Sequence, residues 1–303
     1  MMRLDALKLE LDELFSIPEW ERDPAMSRFL PRVYEGLGFD YTEILEPDFC
    51  ARYNGLMLRG AETVNHVTCA AFPCPEVIEE VLAQTSGDAL LFLHHPIDME
   101  VAGRGFLPIP PRMLERMRAQ GISVYACHAP MDCHDEIGTT ASIAQAFGVQ
   151  VEQGFAPYGD GFAGRIGTVV PLSLNKLVAR GKEIFGIERV EVGGAEPSTV
   201  TRVAIVAGGG DDVDVMAEAE ALGADAYITG EWYTRTRPPE ESDREWAESN
   251  RTACDAYAAS SHMALVGFSH AATEYLVMKT QMAPWFQDRG LEVECAEQSD
   301  WWR

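Results

Sequence analysis

The chain has 303 residues, 47% hydrophobic and 24% charged, a globular composition with room for two domains of ordinary size. Lys and Arg number 24 against 48 Asp and Glu, a formal charge of −24, and such a surface repels phosphate backbones, which argues against general nucleic-acid binding. No apolar run reaches membrane-spanning length and MMRLDALKLELDEL lacks a signal-peptide core, so no membrane partner and a cytoplasmic location are expected.

Leu4, Leu7, Leu11 and Leu14 recur at helical spacing and predict an amphipathic first helix. Residues 17–50 mix Pro, aromatics and charges without a clean period and read as an irregular or short-helical extension. Strands and helices then alternate. VNHVTCAAF reads as a strand, PCPEVIEEVLAQ as a helix entered through Pro75, and DALLFLHHP as a strand ending in a turn. PPRMLERMRAQG is a helix stopped by Gly121, followed by strand ISVYACH and helix GTTASIAQAFG.

The Gly-rich stretch GFAPYGDGFAG suggests a boundary between domains 1–155 and 156–303. Beyond it come strand GRIGTVV, helix SLNKLVARGKEIFG capped by Ser173, and strands RVEVGG and RVAIVAGGG. Helix DDVDVMAEAEALG, strand ADAYITGE, an acidic helix near 240–258, strand MALVGF, helix SHAATEYLVMKTQM and a last strand near LEVEC complete the pattern. Near-continuous apolar strands alternating with helices predict two α/β domains with mostly parallel or mixed sheets. In such sheets ligands sit beyond the carboxyl ends of strands, where LLFLHHP, VYACHAPMD and AYITGE place their polar residues.

Seven cysteines, an odd number without a C-x-x-C pair, read as reduced and mostly buried thiols. His94 and His95 close an apolar strand ahead of Pro96, which biases His95 to an extended backbone. Taken alone, the pair fits core or surface histidines as well as metal ligands. His270 and Glu274 stand four apart at a helix start and share a face, a usual grip on a divalent ion and also an ordinary helical pair. AGGGDDVD follows a strand and opens a helix. It lacks the P-loop Lys-Ser/Thr and the dinucleotide G-x-G-x-x-G, so a tight turn explains it better than a phosphate cradle.

Four segments in order, LLFLHHP, VYACHAPMD, DAYITGE and GFSHAATE, with weaker support from NGL at 54–56 and GRIG at 164–167, resemble the Nif3-like (DUF34) dinuclear metal centre family. The resemblance implies the Nif3-like fold, with two α/β domains facing across a metal cleft. It also implies five metal ligands, His94, His95, Asp132, His270 and Glu274, and a homo-oligomer, typically a hexamer. His128 would then line the site as a general acid or base, or as a hydrogen-bond partner of Asp132. Thr229 and Glu231 would approach the same cavity, with Glu231 a candidate catalytic group. One departure from the family is HAPMD in place of His-Thr-Asn-Leu-Asp, where Pro130 removes a backbone N–H.

Three imidazoles and two carboxylates suit two divalent ions of Zn, Mn, Fe, Co or Ni, and five ligands for two ions leave open positions. The expectation is a dinuclear-metal-dependent hydrolase of a small, nucleotide-like or phosphorylated substrate. A metal-binding regulatory or assembly protein without catalysis, or a GTP cyclohydrolase-like activity, are the alternatives.

Overall fold

The computed structural model describes residues 1–303 apart from 85–86, 100–102, 104, 239 and 303. Its contacts divide the chain into two compact units, each an α/β layer arrangement. One comprises Met1–Met99, Phe106–His134 and Met278–Ser299; the other comprises Glu100–Gly105, Asp135–Val277 and Asp300–Arg303.

The first unit is built on a five-stranded mixed sheet in the order Glu292–Cys295, His66–Ala70, Ala89–Leu93, Ile122–Ala126, Gly55–Leu58. The first four strands run parallel and Gly55–Leu58 adds an antiparallel edge. ALLFL and ISVYA are buried along their whole length because they are inner strands covered on both faces. Leu4, Leu7 and Leu11 are the buried stripe of the first helix. The stretch after it forms helices Met26–Glu35 and Pro47–Arg52, whose Met26, Leu30, Tyr34 and Phe49 enter the core.

The second unit carries a six-stranded sheet in the order Glu191–Gly194, Ala264–Gly267, Ala226–Glu231, Val200–Gly209, Gly161–Leu172, Gln150–Tyr158. Three adjacent strands, those from Ala264, Ala226 and Val200, are parallel, and the remaining pairings are antiparallel. Along Val200–Gly209, Val203 and Ile205 pack into one cluster with Leu177 and Phe268. Ala204 and Val206 pack into another with Met216 and Leu265, the period of two expected of a strand covered on both sides.

These units do not follow a single boundary at 155/156, for two reasons. The Gly-rich stretch there is a hairpin within the second sheet, with Gly161 opposite Tyr158 and the turn running through Gly159 at φ 55°. The strand Glu292–Cys295 then pairs in parallel with His66–Ala70 and returns the chain to the first sheet.

Register brings the chemistry together inside each unit. Ala70, Leu93 and Ala126 are aligned neighbours, so His94, His95, Cys127 and His128 leave the same end of the first sheet. Val206, Thr229 and Gly267 are aligned likewise, so Gly208, Glu231 and His270 leave the same end of the second.

Candidate metal centre

In the first unit, the amides of His94 and His95 donate to Ala70 O (3.2 Å) and Ala71 O (2.9 Å), extending the strand ladder past Leu93. His94 Nδ1 lies 2.9 Å from Cys127 O. A carbonyl only accepts, so Nδ1 carries a proton and Nε2 is the nitrogen available to a metal. Nε2 faces Asp132 Oδ1 at 3.4 Å. His95 is stacked on Phe72, ring centroids 4.1 Å apart and 10° from parallel, which fixes its plane.

His128 completes the group. One ring nitrogen from each of His94, His95 and His128 lies within 4.8 Å of the others, and all three residues are buried. His128 caps the short helix Ala129–Cys133, where Met131 N and Asp132 N both donate to His128 O, at 2.9 and 3.0 Å. Pro130 falls in the first turn, where a missing N–H leaves no helical bond unmade. The carboxylate that hydrogen-bonds His128 is Asp23, whose Oδ2 lies 3.1 Å from Nδ1. Asp132 Oδ2 lies 3.8 Å from Nε2, beyond hydrogen-bond range.

Asp23 falls in the segment whose sequence shows no period, and it was not among the expected site residues. It is fully buried and accepts from the amides of Ala25, Met26 and Ala129 and from Asn54 Nδ2. Burial pushes its pKa up. The His128 ring and the Met26 and Ala129 amides outweigh this and hold the carboxyl far below the usual range. The one sequence signal was Asp-Pro ahead of an apolar helix, which marks a cap but not its distant partner.

In the second unit, His270 opens the helix His270–Val277 just after Ser269, whose φ of 108° turns the chain out of the strand end. Its Nδ1 lies 2.8 Å from Glu231 Oε1 and its Nε2 3.0 Å from Glu274 Oε1. Burial lowers the ring pKa, but Glu274 and Glu231 more than reverse that and hold it well above the ordinary histidine value. Glu231 thus meets His270, whereas the Thr229 hydroxyl is spent on Gly208 O (3.2 Å) and Glu231 O (3.4 Å).

The turn AGGGDDVD packs against this pair. Gly208 takes φ 65°, and a Cβ there would overlap Glu274 Oε1 and lie 2.9 Å from His270 Nε2. Its amide donates to Thr273 Oγ1 at 3.0 Å. Asp212 caps the following helix by accepting from the amides of Asp214 and Val215, so a carboxylate already occupies the place a phosphate would take. Asp211 accepts from Thr234 Oγ1 at 2.6 Å, and burial together with the nearby Glu231 charge pushes its carboxyl up to about 6.

Each unit therefore brings imidazole nitrogens and carboxylate oxygens together, and a divalent ion would take the place of the ring protons that now face the carboxylates. The donors are imidazole and carboxylate, the set suited to borderline divalent ions. The seven cysteines form no disulfide, and Cys127 is buried with its thiol pKa driven up by burial and by the Asp132 charge, so neither it nor a Cys knuckle competes as a ligand. Among the described residues, no helix is long and apolar enough to cross a membrane.

The family profile described as Duf34/NIF3 (NGG1p interacting factor 3) matches residues 42–241. That span includes His94, His95, His128, Asp132 and Glu231 and ends before His270. A Deinococcus radiodurans protein called GTP cyclohydrolase 1 type 2 homolog is 30% identical over 185 residues, 59% of this chain and 66% of that protein. A Salmonella typhimurium protein of the same name is 26% identical over 242 residues, 78% of this chain and 88% of that one. The crystal structure of the Thermus thermophilus protein TTHA1606 superposes with a TM-score of 0.64 at 21% identity, covering 99% of both chains, a likeness of fold.

Proposed function

The chain belongs to the Duf34/NIF3 family and has its Nif3-like fold of mixed α/β sheets, and from that premise we propose a dinuclear-metal-dependent hydrolase of a small, nucleotide-like or phosphorylated substrate. The observation that carries the reading is the buried group His94, His95 and His128, its ring nitrogens within 4.8 Å, with Asp132 Oδ1 3.4 Å from His94. A structural zinc site is closed by four thiolates or imidazoles; this donor set has carboxylates and leaves positions open.

His94, His95 and Asp132 in the first unit and His270 and Glu274 in the second would hold the ions, with Zn, Mn, Fe, Co or Ni all suited to them. Bound ions would supply a Lewis acid and an acidified water. The chain's own part is orientation and proton handling. Cys127 O fixes the His94 tautomer, Phe72 the plane of His95, and Glu231 the ring of His270. His128 Nε2 would take or give a proton at the reacting atom. The charge of −24 favours a small substrate over nucleic acid, and a homo-oligomer, a hexamer by family resemblance, is the expected assembly.

The test is elemental analysis of the purified protein, with hydrolysis of phosphoester, amide and GTP substrates by metal-loaded wild type and His95→Ala. Bound divalent metal with turnover in the wild type and loss of both in His95→Ala is expected. Equal inactivity of the two across the panel would sink the hydrolase reading and leave a metal-binding regulatory protein. The name shared by the relatives above favours GTP as the second substrate to try, and ring opening would appear there as a changed purine absorbance.

A further inference from the structure

We propose that Asp23 is the positioning residue of the candidate site: it holds the Nδ1–H of His128, so that the neutral ring is locked in the Nδ1–H tautomer with Nε2 turned toward His94, His95 and Asp132. The proposal rests on the reading above only for what Nε2 does; the lock itself is a property of the first unit.

The geometry is one-sided. Asp23 is fully buried, and each group it meets among those described is a donor: the amides of Ala25 (3.0 Å) and Met26 (2.7 Å) on Oδ1, and Asn54 Nδ2 (3.1 Å) and the amide of Ala129 (3.0 Å) on Oδ2. A carboxylate so surrounded is an acceptor, so the His128 nitrogen 3.1 Å from Oδ2 must carry the proton. The backbone of His128 is clamped by the same group, since its amide donates to Asn54 Oδ1 at 2.7 Å while Asn54 donates to Asp23. Ring and main chain are thereby held from one side. The other nitrogen faces Asp132 Oδ2 at 3.8 Å, with the His94 and His95 rings 5.0 and 4.7 Å away, centroid to centroid. A buried carboxylate behind an imidazole is the arrangement that selects a tautomer and fixes the ring's orientation.

The experiment is nitrogen-15 NMR of histidine-labelled protein, by long-range proton–nitrogen correlation, at a pH where the ring is neutral, in metal-free and zinc-loaded forms. His128 is expected wholly as the Nδ1–H tautomer with an Nδ1 proton protected from exchange. Asp23→Asn replaces one acceptor by an NH₂ group. It is expected to lose that pure signal, while His94, anchored on Cys127 O, keeps its own. Asp23→Glu retains a carboxylate and is expected to restore part of it, and this variant and the wild-type spectrum decide the matter if Asp23→Asn does not fold. An Nε2–H or freely exchanging His128 in the wild type, or an unchanged His128 in folded Asp23→Asn, overturns the proposal and leaves Asp23 a helix cap alone. The metal-free spectrum needs neither ion nor substrate, so a failed hydrolase assay leaves this result standing.

Discussion

Glu231 grips His270 from behind: its Oε1 lies 2.8 Å from Nδ1, while Glu274 Oε1 faces Nε2 on the other edge of the ring at 3.0 Å. The two carboxylates meet opposite edges of the ring. On the proposed function Glu274, against Nε2, would be a ligand, and Glu231, against Nδ1, would orient the ring. Glu231→Gln is therefore expected to keep the metal-binding stoichiometry and weaken metal affinity about 10–100-fold. Glu274→Gln should remove metal outright. Metal titration against a competing chelator checks both, and equal loss in the two variants would refute the division of roles.

Gly208 is required by contact as much as by conformation. At φ 65° a side chain is strained, and a Cβ would overlap Glu274 Oε1. Gly208→Ala is expected to lose roughly 1–3 kcal/mol in urea unfolding of the metal-free protein and to release metal as Glu274 is displaced. Unchanged metal content would show that the turn yields without moving Glu274.

Asp211 makes the metal-free protein sensitive to pH. Its carboxyl is pushed up to about 6, first by burial and then by Glu231. A raised carboxyl pKa means that the folded state binds the proton more tightly than the unfolded chain. Its contribution to stability is therefore largest at low pH and falls as pH climbs from the ordinary carboxylate value through about 6. Asp211→Asn, which still accepts from Thr234, is expected to stabilise the metal-free protein at neutral pH by on the order of 1–3 kcal/mol and to change little near pH 4. Denaturant midpoints across that range decide it, and a stabilisation independent of pH would count against the assigned cause.

Asp212 tests the Gly-rich turn. Its Oδ1 accepts from the amides of Asp214 and Val215, so Asp212→Ala should cost about 1 kcal/mol as a lost helix cap. Calorimetric titration with phosphate or nucleotide should read the same in this variant and the wild type. Altered affinity would put an anion at the helix end after all.

Local pattern carried much of the architecture. The alternation of apolar strands with Pro- and Gly-punctuated helices is visible because fully buried strands such as ALLFL read as unbroken apolar runs. His94–His95 stood out for the same reason, as polar residues ending an apolar strand ahead of Pro96, and His270 and Glu274 by their spacing on one helical face. The hairpin Gln150–Leu172 was hidden because its first strand is exposed over Gln150–Gln153 and its turn glycines look like a linker. The return of Glu292–Cys295 to the first sheet was hidden too, since a short strand does not name its partner.

By itself the sequence determined which residues could be ligands, and at which strand and helix ends they stand, because those choices follow from side-chain chemistry and periods of a few residues. Only the tertiary structure decided what holds them. Asp23 meets His128 across 105 positions, Cys127 O meets His94 across 33, and Glu231 meets His270 across 39. The last two pairings arise from strand order and register and the first from the loop before Met26–Glu35; burial of the whole unit selects them and no local period records them.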